Sequence, residues 1–161
     1  MTAVDYFLKV DGIQGESKAD DHKDEIDVLS FSWGATQSGT FGGAGGKVAM
    51  QDFHFTMLHS KASPALMLAC AQGDHIKNAI LTCEKKRKDG KEQQDFLIIT
   101  LHDCLVSSYQ TGGSAGGNVI PTDQISLNFA KIEHEYKEQD AHGKLAGTVK
   151  KSFDLKTVKG G

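Results

Sequence analysis

The strongest constraint on this chain is a two-residue alternation of apolar and polar side chains that recurs over long segments. Successive side chains of a strand point to opposite faces, so alternation predicts strands with one face on a core and the other on water. In residues 25–38, Leu29, Phe31 and Trp33 fall on the predicted core face, while Ser30, Ser32 and Gly34 fall on the wet face. In residues 95–109, Leu97, Ile99, Leu101 and Leu105 share a face, opposite Phe96, Ile98, Thr100 and His102. Residues 5–10, 48–59, 79–88, 124–136 and 149–157 carry further strand signals. Two of these change phase: Val48 and Met50 give way to Phe53 and Phe55, and Ile125, Leu127 and Phe129 give way to Ile132 and Tyr136. Bulges or sharp bends are expected there, as a closing barrel requires. Asp89-Gly90 lies between two strand signals and tolerates positive φ, which predicts a tight hairpin joining the strand that ends near Lys88 to the one that begins near Glu92.

One segment reads as a helix. In SPALMLACAQG, Ser63 is placed as N-cap, Pro64 at the first helical position and Gly73 as the stop, with Ala65, Leu66, Ala69 and Cys70 near the 3.6-residue period and Met67 and Leu68 widening the apolar surface. The expected fold class is therefore all-β with one short α-helix over about residues 63–73, packed beside a β-barrel.

The 161 residues fit a single domain, 1–161, which at this size buries about 70% of the surface its unfolded chain exposes. Net charge is −3, from 18 basic and 21 acidic residues intermixed, so the chain has no field suited to nucleic acid or an anionic membrane. No apolar run approaches the roughly 20 residues of a spanning helix, and no membrane insertion is expected. Cys70, Cys83 and Cys104 are odd in number and widely spaced, which reads as small core residues in a reducing compartment. The opening MTAVDYFLKV contains Asp5 and lacks basic and apolar leader regions, so no signal peptide is expected and any export takes another route.

Catalytic and cofactor motifs fail on context. Residues 112–116, GGSAG, match G-x-S-x-G literally and would expose Ser114, but NVIPT and a strand signal follow where a nucleophile elbow needs a helix. Gly46-Lys47 lacks the first glycine and the Ser/Thr of a phosphate loop, having Phe41 and Val48 at those positions. The seven histidines, His22, His54, His59, His75, His102, His134 and His142, form no H-E-x-x-H pattern and read as surface or rim residues; His54 and His59 cannot share a strand face. The run Lys85-Lys86-Arg87-Lys88 has no interleaved aromatics and reads as a solvated hairpin tip. No enzyme activity, cofactor or metal is expected. A barrel with polar faces and glycine loops remains, able to hold a ligand, present a surface or assemble.

Five stretches now carry a resemblance: DYFLKVDGIQGES (5–17), EIDVLSFSWGATQSG (25–39), residues 51–73 with the SPALMLACAQG helix, FLIITLHDCLVSSYQTGGS (96–114) and ISLNFAKIEHEY (125–136). In order, and over nearly the whole chain, they resemble the haemolysin-coregulated protein (Hcp) family, the tube subunit of type VI secretion. The resemblance implies a β-barrel of two antiparallel sheets with one lateral helix, and a hexameric ring whose copies stack into a tube with a wide channel. It implies expulsion by a contractile sheath on a baseplate, a spike protein at the tip, and small effector proteins carried or chaperoned in the lumen. It also implies residence in the bacterial cytoplasm before firing, then secretion without a signal peptide. Ser32, in FSWG, matches a lumen-facing family position, and Ser30 shares its polar face. Loop 38–47, with Gly39, Thr40, Phe41, Gly42, Gly43, Ala44, Gly45 and Gly46, looks like the family loop that contacts a neighbouring ring. The short tail after Lys156 implies no fused toxin domain. Ordering a glycine loop costs entropy, so rings are expected to be stable and tubes concentration-dependent. A monomeric ligand-binding barrel and a hydrolase using Ser114 are the competing readings.

Overall fold

The computed structural model describes residues 4–39, 46–86, 93–117, 120–139 and 145–161. The strands are β1 (Val4–Val10), β2 (Ile26–Ser32), β3 (Ala35–Gln37), β4 (Val48–Met50), β5 (Phe53–Leu58), β6 (Ile76–Lys86), β7 (Gln93–Gly112), β8 (Thr122–Gln139), β9 (Leu145–Asp154) and β10 (Lys159–Gly160), with helix α1 (Ala62–Gln72) between β5 and β6. Antiparallel pairing runs β8-β5-β2-β1-β6-β7, and β7 pairs back onto β8. The two expected sheets are thus the two sides of one continuous six-strand barrel. The far half of β8 stays paired with β7, while its other edge, held by β5 only as far as Leu127, pairs with β9, which carries β10.

The phase changes read from sequence are real, and there are more of them. The segment 48–59 breaks into β4 and β5 around Gln51 and Asp52. A register shift between Val28 and Ser30 turns Leu29 outward, 52% exposed, where alternation placed it in the core. Ile26 and Val28 point inward before the bulge, and Phe31 and Trp33 pack on the core after it. On β7 the left-handed backbone of Asp103 (φ 53°) shifts the inward set from Ile99 and Leu101 to Cys104 and Val106. Leu105, also expected inside, is consequently 42% exposed. On β8 the inward set passes from Phe129 to Ile132, while Tyr136, opposite Leu97 of β7, is exposed and edge-on to Phe96.

Side chains fill the barrel: Leu8, Phe53, Phe55, Met57, Leu81, Leu101 and Leu127 are all buried. Ala62, Leu66 and Ala69 of α1, at helical spacing, join the same cluster and leave Met67 and Leu68 exposed. Gly73 ends the helix in the left-handed conformation (φ 66°), its N–H reaching back to the Cys70 carbonyl at 3.3 Å.

The start of α1 lies earlier than expected. Ser63 is inside the first turn; Ser60 Oγ accepts from the Ala62 N–H (3.2 Å) and Ser63 Oγ accepts from the Ser60 N–H (3.0 Å). These two hydroxyls hold the turn that leads into α1, with Lys61 at the N-cap and Pro64 as the third helical residue. The Ser63 hydroxyl then donates to Asp123 of β8, a carboxylate with 0% exposure. His59 Nδ1 donates to the other Asp123 oxygen at 3.1 Å, and Thr111 of β7 supplies a further hydrogen bond. This carboxylate ties α1 to the strands that close the barrel.

Burial pushes the Asp123 carboxyl up, but hydrogen bonds from Ser63, Thr111 and His59 overcome it and hold the group below its ordinary value of 3.8. A depressed carboxyl stabilises the fold fully above that ordinary value, and the contribution is lost as pH falls further, through the folded-state value. Asp123→Ala is therefore expected to lower unfolding free energy by about 2–3 kcal/mol in denaturant titrations at neutral pH, and Asp123→Asn to flatten the loss of stability of the wild type below the ordinary carboxyl range.

Candidate functional site

The side of the barrel made by β2, β5, β8 and β7 presents a continuous polar wall. Cross-strand partners share a face, and the register places Ser30 opposite Thr56 and Ser32 opposite His54. It continues with His54 opposite Ser126 and Thr56 opposite Gln124, then Ser126 opposite Ser108 and Gln124 opposite Gln110. The intervening residues, Phe31, Phe55, Ile125 and Tyr109, form the inward row behind this face. Hydroxyls, amides and one imidazole thus stand on the outer face with no lysine, arginine or carboxylate among them. His54 Nδ1 lies 2.6 Å from Ser126 Oγ, a hydrogen bond that links β5 to β8 within the wall. At the wall's edge Asp52 is held by Ser107 (2.6 Å) and Asn128 (3.1 Å), so this charge is already engaged by hydrogen bonds.

Ser30 and Ser32 are exposed on this wall. Sequence reading missed His54, Thr56, Ser108, Gln110, Gln124 and Ser126. Alternation with Phe53, Phe55, Met57, Ile125 and Leu127 marks the β5 and β8 members, but pairing across strands is needed to show that they form one surface.

Beside the wall, β3 and β4 form a separate two-stranded ribbon, pairing Ala35 with Met50, Thr36 with Ala49 and Gln37 with Val48. Ser38 and Lys47 close its last rung, the Lys47 N–H donating to Ser38 Oγ at 2.9 Å, and the Gly39 N–H donates to Gln37 Oε1 at 3.1 Å. Gly39 and Gly46 sit exposed at the base of the loop. Thr40, Phe41, Gly42, Gly43, Ala44 and Gly45 lie outside the described residues, as does the Asp89-Gly90 hairpin.

The chemistry weighed from sequence falls at scattered places. Ser114 is exposed after β7, in a stretch that leads to β8. Ser63, Asp123 and His59 do come together, but serine and histidine both bond the aspartate, so no base is aligned on the serine hydroxyl. His22 corrects the expectation of surface or rim histidines: it is buried, with its ring stacked on Phe7 at a centroid distance of 4.5 Å. The expectation failed because the connection from β1 to β2 folds back over the barrel wall, a tertiary contact that periodicity does not register. Lys85 lies over the Phe96 ring at 4.6 Å.

Comparison with known proteins agrees with this architecture. Residues 7–136 match the family described as Type VI secretion system effector, Hcp. The chain is 45% identical over 159 residues to protein Hcp1 of Pseudomonas aeruginosa, covering 96% of each. A solved structure of Hcp1 from Salmonella typhimurium is similar at 33% identity with a TM-score of 0.80, covering 98% of this chain and 99% of that one. A second solved structure, of a type six secretion system protein, reaches a TM-score of 0.89 at 33% identity and covers 99% and 100%. A closed barrel with a lateral helix, a match across most of the sequence and full-length relatives on the same fold lead to one conclusion: this chain belongs to the Hcp family of type VI secretion proteins.

Proposed function

We propose that the chain, as a single domain, is the repeating subunit of a hexameric ring whose copies stack into the inner tube of a type VI secretion machine, with the polar wall of β2, β5, β8 and β7 facing the lumen. The observation that carries this reading is the wall itself. A surface that small proteins must enter and leave needs enough polarity to stay wet and little fixed charge to hold a cargo of opposite sign. Ser30, Ser32, Thr56, Gln124, Gln110 and Ser108 meet both conditions across four strands.

Two further features support assembly. Leu29, Leu58 and Ile120 are exposed together around a groove that Ile26, Asp27 and Ser60 also line, an apolar surface that ring closure would cover. The β3–β4 ribbon stands apart from the barrel sheet, and a two-stranded ribbon is marginal alone in water. Contact of loop 39–46 with the next ring would supply the missing support. The reading makes the chain a mechanical and carrier protein without turnover. Its partners are its own copies, a contractile sheath, a baseplate, a spike protein and small effectors in the lumen. It leaves the bacterial cytoplasm through that machine. The monomeric ligand-binding reading is disfavoured because packed side chains occupy the barrel interior.

Mass photometry at micromolar concentration should find particles of six times the 17.4 kDa chain, and Leu29→Glu with Leu58→Glu should return them to monomers that keep the wild-type circular dichroism spectrum. Monomeric wild-type protein under those conditions would sink the ring. Tubes should form only as concentration rises; tubes at nanomolar subunit without partners would contradict weak stacking. Ser32→Asp should leave rings intact while raising retention of a basic cargo protein at low salt, an increase that added salt removes; an unchanged salt dependence would place Ser32 away from the cargo.

A further inference from the structure

The β1–β2 connection builds a small second core outside the barrel wall. Phe7 and Thr82 are opposite each other in the β1–β6 register, on the face away from the barrel interior. The connection covers them with Ser17 and His22, which are buried too. It passes close at Gly15, whose N–H donates to the Asp24 carbonyl at 2.8 Å and where an added Cβ would meet the Glu25 backbone at 2.4 Å. A register shift between Cys83 and Glu84 brings Glu84 opposite Asp95 at the edge of this core.

Four ionisable side chains meet there. His22 Nδ1 lies 3.0 and 3.1 Å from the two Glu25 oxygens. His22 Nε2 lies 3.1 Å from Asp95 Oδ1 and also 3.1 Å from Glu84 Oε2. One ring nitrogen carries at most one proton, so it satisfies only one of those two oxygens, and the hydrogen bond goes to Asp95. Glu84 is 1% exposed, is aimed at the imidazole, and neither of its oxygens accepts a hydrogen bond among the described residues. Burial, with Asp95, Asp21 and Asp5 nearby, makes ionisation of Glu84 costly, and His22 offsets this only in part. A buried carboxylate left in this state is expensive unless another cation neutralises it.

We propose that His22, Glu84 and Asp95 bind one divalent transition-metal ion of the Zn2+ class. Their three donor atoms lie within 4.8 Å of one another. Atoms that each sit about 2.0–2.2 Å from a common zinc ion are themselves roughly 3–3.5 Å apart, so the donors need only a small closure. Glu25, accepting from Nδ1–H, holds the tautomer that leaves Nε2 free for the metal, the usual place of a carboxylate behind a metal-binding histidine. Stacking on Phe7 keeps the ring in plane. One imidazole with two carboxylates suits zinc or its neighbours, whereas calcium prefers six or more oxygens. On binding, the metal replaces the proton at Nε2, which leaves to solvent. Asp95, 35% exposed, gives the entry side and leaves the fourth position to water. The bound ion would pin the β1–β2 connection to the ends of β6 and β7.

The test uses the full chain, stripped with a chelator, dialysed against micromolar Zn2+ and then against metal-free buffer. Elemental analysis should find one zinc per chain, and thermal unfolding should move to higher temperature. Asp95→Asn, on the exposed side of the cluster, should keep the circular dichroism spectrum and weaken zinc binding by at least about tenfold, as should His22→Gln, while His75→Gln on the surface should change nothing. Wild-type protein that retains no zinc, or Asp95→Asn protein that binds it as tightly as wild type, would overturn the proposal.

Discussion

Pairing between β7 and β8 is the interaction on which the rest of the molecule depends. The two longest strands, of 20 and 18 residues, run side by side from the Gly112–Thr122 pair to the Leu97–Tyr136 pair, and they turn a curved sheet into a closed barrel. Closure removes the free edges that β7 and β8 would otherwise expose, and it sets the phase of every strand between them. It also needs local concessions: a left-handed residue at Asp103, a bulge at Leu29 and a break between β4 and β5. Each concession flips which side chains face inward, so the core stays apolar although no single alternation runs the length of a strand.

That requirement explains what sequence could and could not show. The strands, the helix and the all-β barrel were legible because alternation persists over four to six residues at a time, as in Phe53, Phe55 and Met57. Leu29 and Leu105 were misplaced because a bulge and a positive φ leave no mark on apolarity; both look like core members of the runs around them. Ser63 reads as a cap from sequence, but its hydroxyl accepts from the Ser60 N–H and donates to Asp123, partners that only the folded chain brings to it. His22 carries no mark of burial in the sequence, since its burial comes from a connection folded back on the barrel and from contacts with residues distant in sequence, Phe7 and Asp95 among them.

The same logic governs the polar wall. Ser30 and Ser32 were visible as the wet face of one strand, but a surface is made by register, and register is a tertiary property. Once β5, β8 and β7 are laid beside β2, hydroxyls and amides align into a surface free of fixed charge, while phenylalanine, isoleucine and tyrosine align behind it. Wall and core are two faces of the same ladders. A substitution that moved the register by one residue would therefore exchange them, which ties the proposed passage of cargo to the stability of the barrel.

An electron cryo-microscopy reconstruction of the purified, assembled protein addresses the central claim most directly, because it shows which face of the barrel lines the opening. The account predicts Ser32, His54, Ser126 and Ser108 on the channel surface, with loop 39–46 at the junction between rings. A ring with that wall turned to the outside, or sealed between subunits, would contradict it.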